Sequence, residues 1–238
     1  MNAKDLLQAG KLSEAIAALN GELRDNPGDV QRRTFLFELL CFNGGFDRAE
    51  KQLEILSGDN PQTGMGVLLY KSALHAERQR QEMFEKKTFP LSTAPAPVPG
   101  KLNGKAFAEL EDADPRVGAR LELFAAGQYM WIPFEHIASI EMPPPKRLRD
   151  LLWAPAVVRT CKGFEGMELG EVLLPAIAPL SWRHADDAVK LGRATEWLEL
   201  EDGSQAPVGM KMFLLDGEEM PFLDMRELEN EGSEAAAS

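Results

Sequence analysis

Apolar residues in the first third of the chain fall at helical spacing, and one pattern of them occurs twice. Gly10, Leu12, Ala15, Leu19, Asp25, Asn26 and Pro27 return 34 residues later as Gly44, Phe46, Ala49, Leu53, Asp59, Asn60 and Pro61. Such a period is the step of a tetratricopeptide-like helical hairpin, which buries one face against its neighbour and commonly holds a segment of another protein. The spacing predicts a short helix over 2–9, closed by Gly10, and a second starting with Ser13 as its N-cap. Asp25-Asn-Pro-Gly stops that helix, because proline supplies no N–H and restricts the residue before it. Helices near 29–42 and over 46–56 follow, separated by Asn43-Gly-Gly. From about Thr63 to Lys87 neither Gly nor Pro follows Gly66, which predicts one long helix capping the stack. Val67, Leu68, Tyr70, Leu74 and Met83 give it an apolar side, and Glu77-Arg-Gln-Arg-Gln-Glu is expected to be its solvated side.

The rhythm then changes. Residues 88–104 carry Phe89-Pro-Leu-Ser-Thr-Ala-Pro-Ala-Pro-Val-Pro-Gly, expected to be a semi-extended linker. Beyond it, short apolar stretches alternate with turn residues. Arg120 to Pro133 predicts two strands around a turn at Ala126-Gly127, and Leu151–Thr160 and Met167–Pro175 predict two more. Trp197-Leu-Glu-Leu-Glu alternates as a half-buried strand does, and Lys211–Asp216 and Pro221–Arg226 add late elements. The expected fold class is α+β and multidomain: tetratricopeptide-like helical hairpins over 1–87, the linker 88–104, a small, mostly antiparallel, barrel-like β region over 105–228, and a frayed acidic, Ala-rich tail over 229–238.

Charge narrows the partners. The chain of 238 residues has a net charge of −12. Residues 1–88 hold 12 Lys/Arg against 13 Asp/Glu, while 89–238 hold 14 against 25. An acidic second half repels nucleic-acid backbones and anionic membranes, so neither is an expected partner. Cys41 and Cys161 lie outside any C-x-x-C pairing and suit a reducing compartment. The polar N-terminus and the lack of a long apolar run lead us to expect a cytoplasmic protein.

Candidate chemistry is sparse. His75, His136 and His184 form no H-E-x-x-H and no close pair with a cysteine, so no metal or cofactor is expected. No G-x-S-x-G elbow occurs, and Gly163-Phe-Glu-Gly is followed by no Gly-Lys-Ser/Thr. An enzyme is not expected. Trp131, Trp153 and Trp197, with Arg193, either fill the core of the β region or form an aromatic patch for a partner. Both readings stand at this point. In the helical half, the tetratricopeptide analogy places the inner face on the first helix of each hairpin. It turns Gln31, Thr34, Glu38, Phe42, Leu68, Ser72 and His75 toward a groove, with Phe42 and Leu68 as apolar anchors; alternatively, the same face packs on the β region.

Four ordered blocks of the second half carry a resemblance: Asp112-Ala-Asp-Pro-Arg-Val-Gly, Tyr129-Met-Trp-Ile-Pro-Phe-Glu-His-Ile, Arg149-Asp-Leu-Leu-Trp-Ala-Pro-Ala and Leu191-Gly-Arg-Ala-Thr-Glu-Trp. With Phe222-Leu-Asp-Met-Arg-Glu-Leu near the end, the chain resembles the ImpE family, also called TagJ or SciE-type proteins, over nearly its whole length. Leu180-Ser-Trp-Arg-His departs from it, where a more Gly/Ser-rich loop is expected. The resemblance implies a non-enzymatic adaptor of bacterial type VI secretion. Its implied partners are the N-terminal helix of the small sheath subunit and the AAA+ ATPase that dismantles the contracted sheath. The competing class is a small-molecule-binding or catalytic β domain with a helical regulatory arm, which needs a polar pocket joining Arg193, Asp150 and His136.

Overall fold

A computed structural model describes residues 2–57, 61–90, 95–162, 164 and 169–231, with 61–65 described by backbone alone. Helices α1 (Ala3–Gln8), α2 (Leu12–Asp25), α3 (Val30–Phe42), α4 (Phe46–Leu56) and α5 (Pro61–Lys86) come first. The strands follow as β1 (Gly100–Leu102), β2 (Lys105–Phe107), β3 (Leu110–Asp112), β4 (Arg120–Ala125), β5 (Gln128–Pro133), β6 (Ile137–Glu141), β7 (Trp153–Thr160) and β8 (Gly170–Pro175). A short α6 (Asp187–Lys190) precedes β9 (Thr195–Glu199), β10 (Gln205–Gly209), β11 (Met212–Leu215), β12 (Glu218–Pro221) and β13 (Glu227–Asn230). The fold is α+β.

The sequence repeat is realised as two equivalent helix starts. Gly10 and Gly44 take left-handed backbone at φ +77° and +69°, ahead of α2 and α4. Ala15 and Ala49 are fully buried at matching positions, as are Leu19 and Leu53. One expected cap is misplaced. Ser13 lies inside α2, whose N-cap is Lys11 without a side-chain bond. The Ser13 N–H instead donates to Asp187 Oδ2 at 2.9 Å, so a carboxylate from α6 satisfies a free donor at the helix start. Asp59 and Asn60, the second copy of the stop signal, lie outside the described residues.

The strands pair antiparallel throughout, in an eight-stranded sheet ordered β2-β1-β13-β6-β7-β8-β4-β5, a three-stranded sheet β12-β11-β3 and a β9–β10 hairpin. The large sheet is open, with β2 and β5 at its edges, so the described strands do not close the expected barrel. Its inner face and the three-stranded sheet enclose one core, including Leu121, Leu123, Val158, Leu174, Phe213, Phe222 and Leu228. The predicted hairpin turn is correct: Ala126 (φ +49°) and Gly127 (φ +78°) join β4 to β5, the twist that two-residue loops favour. Two expected segment ends shift. Gly100–Leu102, assigned to the linker, pairs with β13, and Glu229 and Asn230, assigned to the tail, are the end of that strand. Buried Asn230 pins it by donating to the carbonyls of Phe134 at 2.8 Å and Ile137 at 2.7 Å. Linker residues 91–94, the Gly163-Phe-Glu-Gly loop apart from Phe164, and tail residues 232–238 are outside the described set. No described helix is long and apolar enough to cross a membrane.

Candidate partner-binding groove

The outer face of the large sheet carries the helices. Directly paired residues of antiparallel strands share a face, so Phe124, Leu173 and Pro155 form one row across β4, β8 and β7. Phe124, Leu152, Trp153 and Leu191 belong to the same apolar cluster as the helix residues Leu36, Phe37, Leu40 and Leu74. The two regions therefore share a core.

At its C-terminal end, α5 is sealed onto the sheet by charge. Arg80, 1% exposed, donates through Nε to Glu122 Oε1 at 2.8 Å and through Nη2 to Oε2 at 3.2 Å. Its Nη1 reaches Glu77 Oε1 at 3.3 Å, and Trp153 Nε1 donates to Glu77 Oε2 at 2.9 Å. Tyr129 donates to Glu122 at 2.5 Å, and the buried Lys211 ammonium contacts both Glu122 and Asp112. Burial alone would raise the pKa of Glu122; the Arg80 and Lys211 cations overcome it and hold the carboxyl well below its usual range. Asp112 is pushed up to about 7 by burial, which the adjacent Lys211 only partly offsets. Its Oδ2 lies 2.5 Å from Lys211 Nζ. The expected solvated face of this helix is thus reversed: Glu77, Arg80 and Gln81 are buried. A strand carboxylate and a loop lysine, distant in sequence, supply the partners that make this burial affordable.

The loop that departs from the resemblance works at the same joint. Gln81 Oε1 accepts from the Leu180 N–H at 2.8 Å and from Trp182 Nε1 at 3.1 Å. The Trp182 ring lies directly against Gly44, where any Cβ would overlap it. Arg193 donates to the Gln8 carbonyl at 3.0 Å. Segment 180–193 therefore grips both repeat turns.

At its N-terminal end, α5 stands away from the sheet. Leu68 and Leu69 are 65% and 52% exposed and face a concavity of about 570 Å³. Ser72 and Ala73 continue that wall, and the floor is Phe124, Leu173, Pro155 and Val157, with Pro143 and Glu171 at the rim. Gly127 closes one end, its α-carbon so near Ser72 that an added Cβ would lie 3.4 Å from the serine Cβ. A largely apolar trough of this shape suits a side-chain stripe of a partner helix.

The seven predicted groove residues divide. Leu68 and Ser72 line this trough; Gln31, Thr34 and Glu38 line a different concavity of about 660 Å³ beside α1 and α2. Phe42 is buried in the shared core, and His75 is exposed beside Gln79. The segment before β7 packs on the helices: Leu148, Leu151 and Leu152 join the helical cluster and Arg149 lies 4.5 Å over the Tyr70 ring. Glu38 faces that segment, where burial and then the Asp150 carboxylate push its pKa up to about 7 against Arg147. The aromatic patch does not assemble either. Trp153 is buried, Trp131 stacks on Phe89 at 5.9 Å, Trp197 lies on β9, and Arg193 is at α1. Arg193, Asp150 and His136 share no cavity among those described. His136 stacks on Phe164, and Asp150 accepts the N–H groups of Lys146 and Arg147. Leu69, Phe124, Pro143, Pro155, Val157, Glu171 and Leu173 were not anticipated. No local signal separated them from core residues, because adjacent helix residues such as Leu39 and Leu40 are both buried in the same cluster.

The sequence profile described as "ImpE protein" matches residues 104–229. Over 99% of this chain and 93% of the relative, the sequence is 33% identical to a Pseudomonas aeruginosa protein described as a type VI secretion system accessory component, TagJ. The crystal structure of protein VPA1032 from Vibrio parahaemolyticus has the same fold, with a TM-score of 0.83 and 22% identity, over 96% of this chain and 97% of that one.

Proposed function

Since the chain belongs to the ImpE family, we propose that it is a non-enzymatic, cytoplasmic adaptor of a type VI secretion system. It binds the N-terminal helix of the small sheath subunit and links that subunit to the AAA+ ATPase that disassembles the sheath. The observation that carries this reading is the apolar trough between α5 and the sheet, with Leu68 and Leu69 more than half exposed on a helix otherwise anchored in the core. A helix laid in such a trough buries its apolar stripe and leaves its polar face to solvent. The helical region is read as tetratricopeptide-like, but the trough it forms with the strands takes the place of the inner face of a solenoid.

A titration of the full chain with a synthetic N-terminal helix of the cognate sheath subunit tests this. Micromolar binding is expected, and Leu68→Asp with Leu69→Asp should abolish it. Absence of binding at tens of micromolar, about −6 kcal/mol, with the chain folded by circular dichroism, overturns the reading.

A further inference from the structure

From the carboxylate at the edge of the trough, Glu171, strand register extends a row of acidic residues across the sheet. Val157 on β7 pairs with Glu171 on β8 and with Glu141 on β6, and Glu141 in turn pairs with Glu227 on β13. Glu171, Val157, Glu141 and Glu227 therefore form one cross-strand row on the outer face. It runs parallel to the apolar row Phe124, Leu173 and Pro155 and lies two residues, about 7 Å, from it. Glu171 and Val157 line the trough itself. The next row on this face holds Arg159, Ser139, Glu229 and Lys101.

Four carboxylates thus stand against two cations over the two rows. Arg159 pairs with Glu141, and Lys101 is opposite Glu229. Glu141 and Glu227 face each other directly, an arrangement that costs a sheet stability. All four carboxylates are exposed. Glu171 lines the trough, and Glu141 and Glu227 continue its row outward across β6 and β13.

We propose that the segment held in the trough is a basic amphipathic helix. Its apolar stripe contacts Leu68, Leu69, Phe124 and Leu173, and Lys or Arg residues along one flank reach Glu171, Glu141 and Glu227. This rests on the reading of the trough as a helix site and adds the charge of its occupant. Basic flanks speed encounter with an acidic surface and fix which way round the helix lies.

Two labelled peptides of about five helical turns test it, with the same leucine stripe and either lysine or glutamate on the polar face. Each is titrated against the full chain by fluorescence anisotropy. The lysine peptide should bind at least about tenfold tighter. That preference should shrink as salt rises from about 0.05 M to about 0.3 M, and should largely vanish in Glu141→Gln/Glu171→Gln/Glu227→Gln. Binding that needs Leu68 and Leu69 but ignores peptide charge, or prefers the glutamate peptide, overturns this proposal and leaves the trough as a helix site. A lysine-peptide preference unchanged in Leu68→Asp/Leu69→Asp overturns it too, as general attraction to an acidic protein. Failure of both peptides and of the sheath helix removes the trough reading itself.

Discussion

Over Ala76–Phe84 the buried side of α5 is sealed on the sheet, whereas Leu68, Leu69 and Ser72 of the same helix line the trough above the same sheet. At the sealed end the contact is ionic and fully buried, with Arg80 held between Glu122 and Glu77. At the open end the lining is largely apolar. A buried ion pair adds little net stability over an apolar equivalent, but it tolerates few alternative geometries, and losing one partner is costly. The sealed end ties α5 to β4 through Arg80 and Glu122, a few turns from the residues that line the trough.

The largest effect should come from breaking the sealed end. Arg80→Leu leaves Glu122 and Glu77 without the guanidinium between them, and urea denaturation should register a loss of about 3–5 kcal/mol. Arg80→Met with Glu122→Leu should recover much of it; if the double variant is no better than the single one, the ionic account of the joint is wrong. Next comes the open end. Leu68→Asp with Leu69→Asp should leave stability within about 0.5 kcal/mol, as surface changes do, yet weaken binding of the sheath-subunit helix by at least about tenfold. A large loss of stability instead would place these leucines in the core.

The concavity at α3 supplies a pH contrast. Glu38 has its folded pKa raised to about 7 by burial and by Asp150. A raised carboxyl contributes stability that is fully present below its unfolded pKa and is lost as pH rises through about 7. Relative to Glu38→Gln, the native chain should lose on the order of 2 kcal/mol between pH 4.5 and 8. Parallel pH profiles for the two proteins would contradict that environment. The smallest effect is at the clasp: Asp187→Ala removes the acceptor of the Ser13 N–H and should cost about 1 kcal/mol by thermal unfolding.

Local signals were legible in the sequence. The stop at Asn26-Pro27, the break at Asn43-Gly44 and the turn at Ala126-Gly127 each depend on residues a few positions apart, and each is found. What the sequence hid is what distant residues decide together. Glu77, Arg80 and Gln81 read as a surface run because Glu122, Trp153 and Leu180 lie far along the chain. The open sheet depends on β1 finding β13, a pairing of Gly100 with Asn230 that no local pattern encodes. The site divides in the same way. Leu68 and Ser72 were readable as one wall of a groove, but the other wall comes from β4, β7 and β8. Gln31, Thr34 and Glu38 were grouped with them by the solenoid analogy, whereas they line a second concavity beside α1 and α2.

Hydrogen–deuterium exchange of the full chain, with and without the N-terminal helix of the cognate sheath subunit, tests the central claim most directly. Slowed exchange is expected at the walls of the trough, in the segments around Leu68–Ala73, Phe124–Gly127, Pro155–Val157 and Glu171–Leu173. The residues 31–38 should be unchanged. Protection centred on 31–38, with none at the trough, would contradict the account.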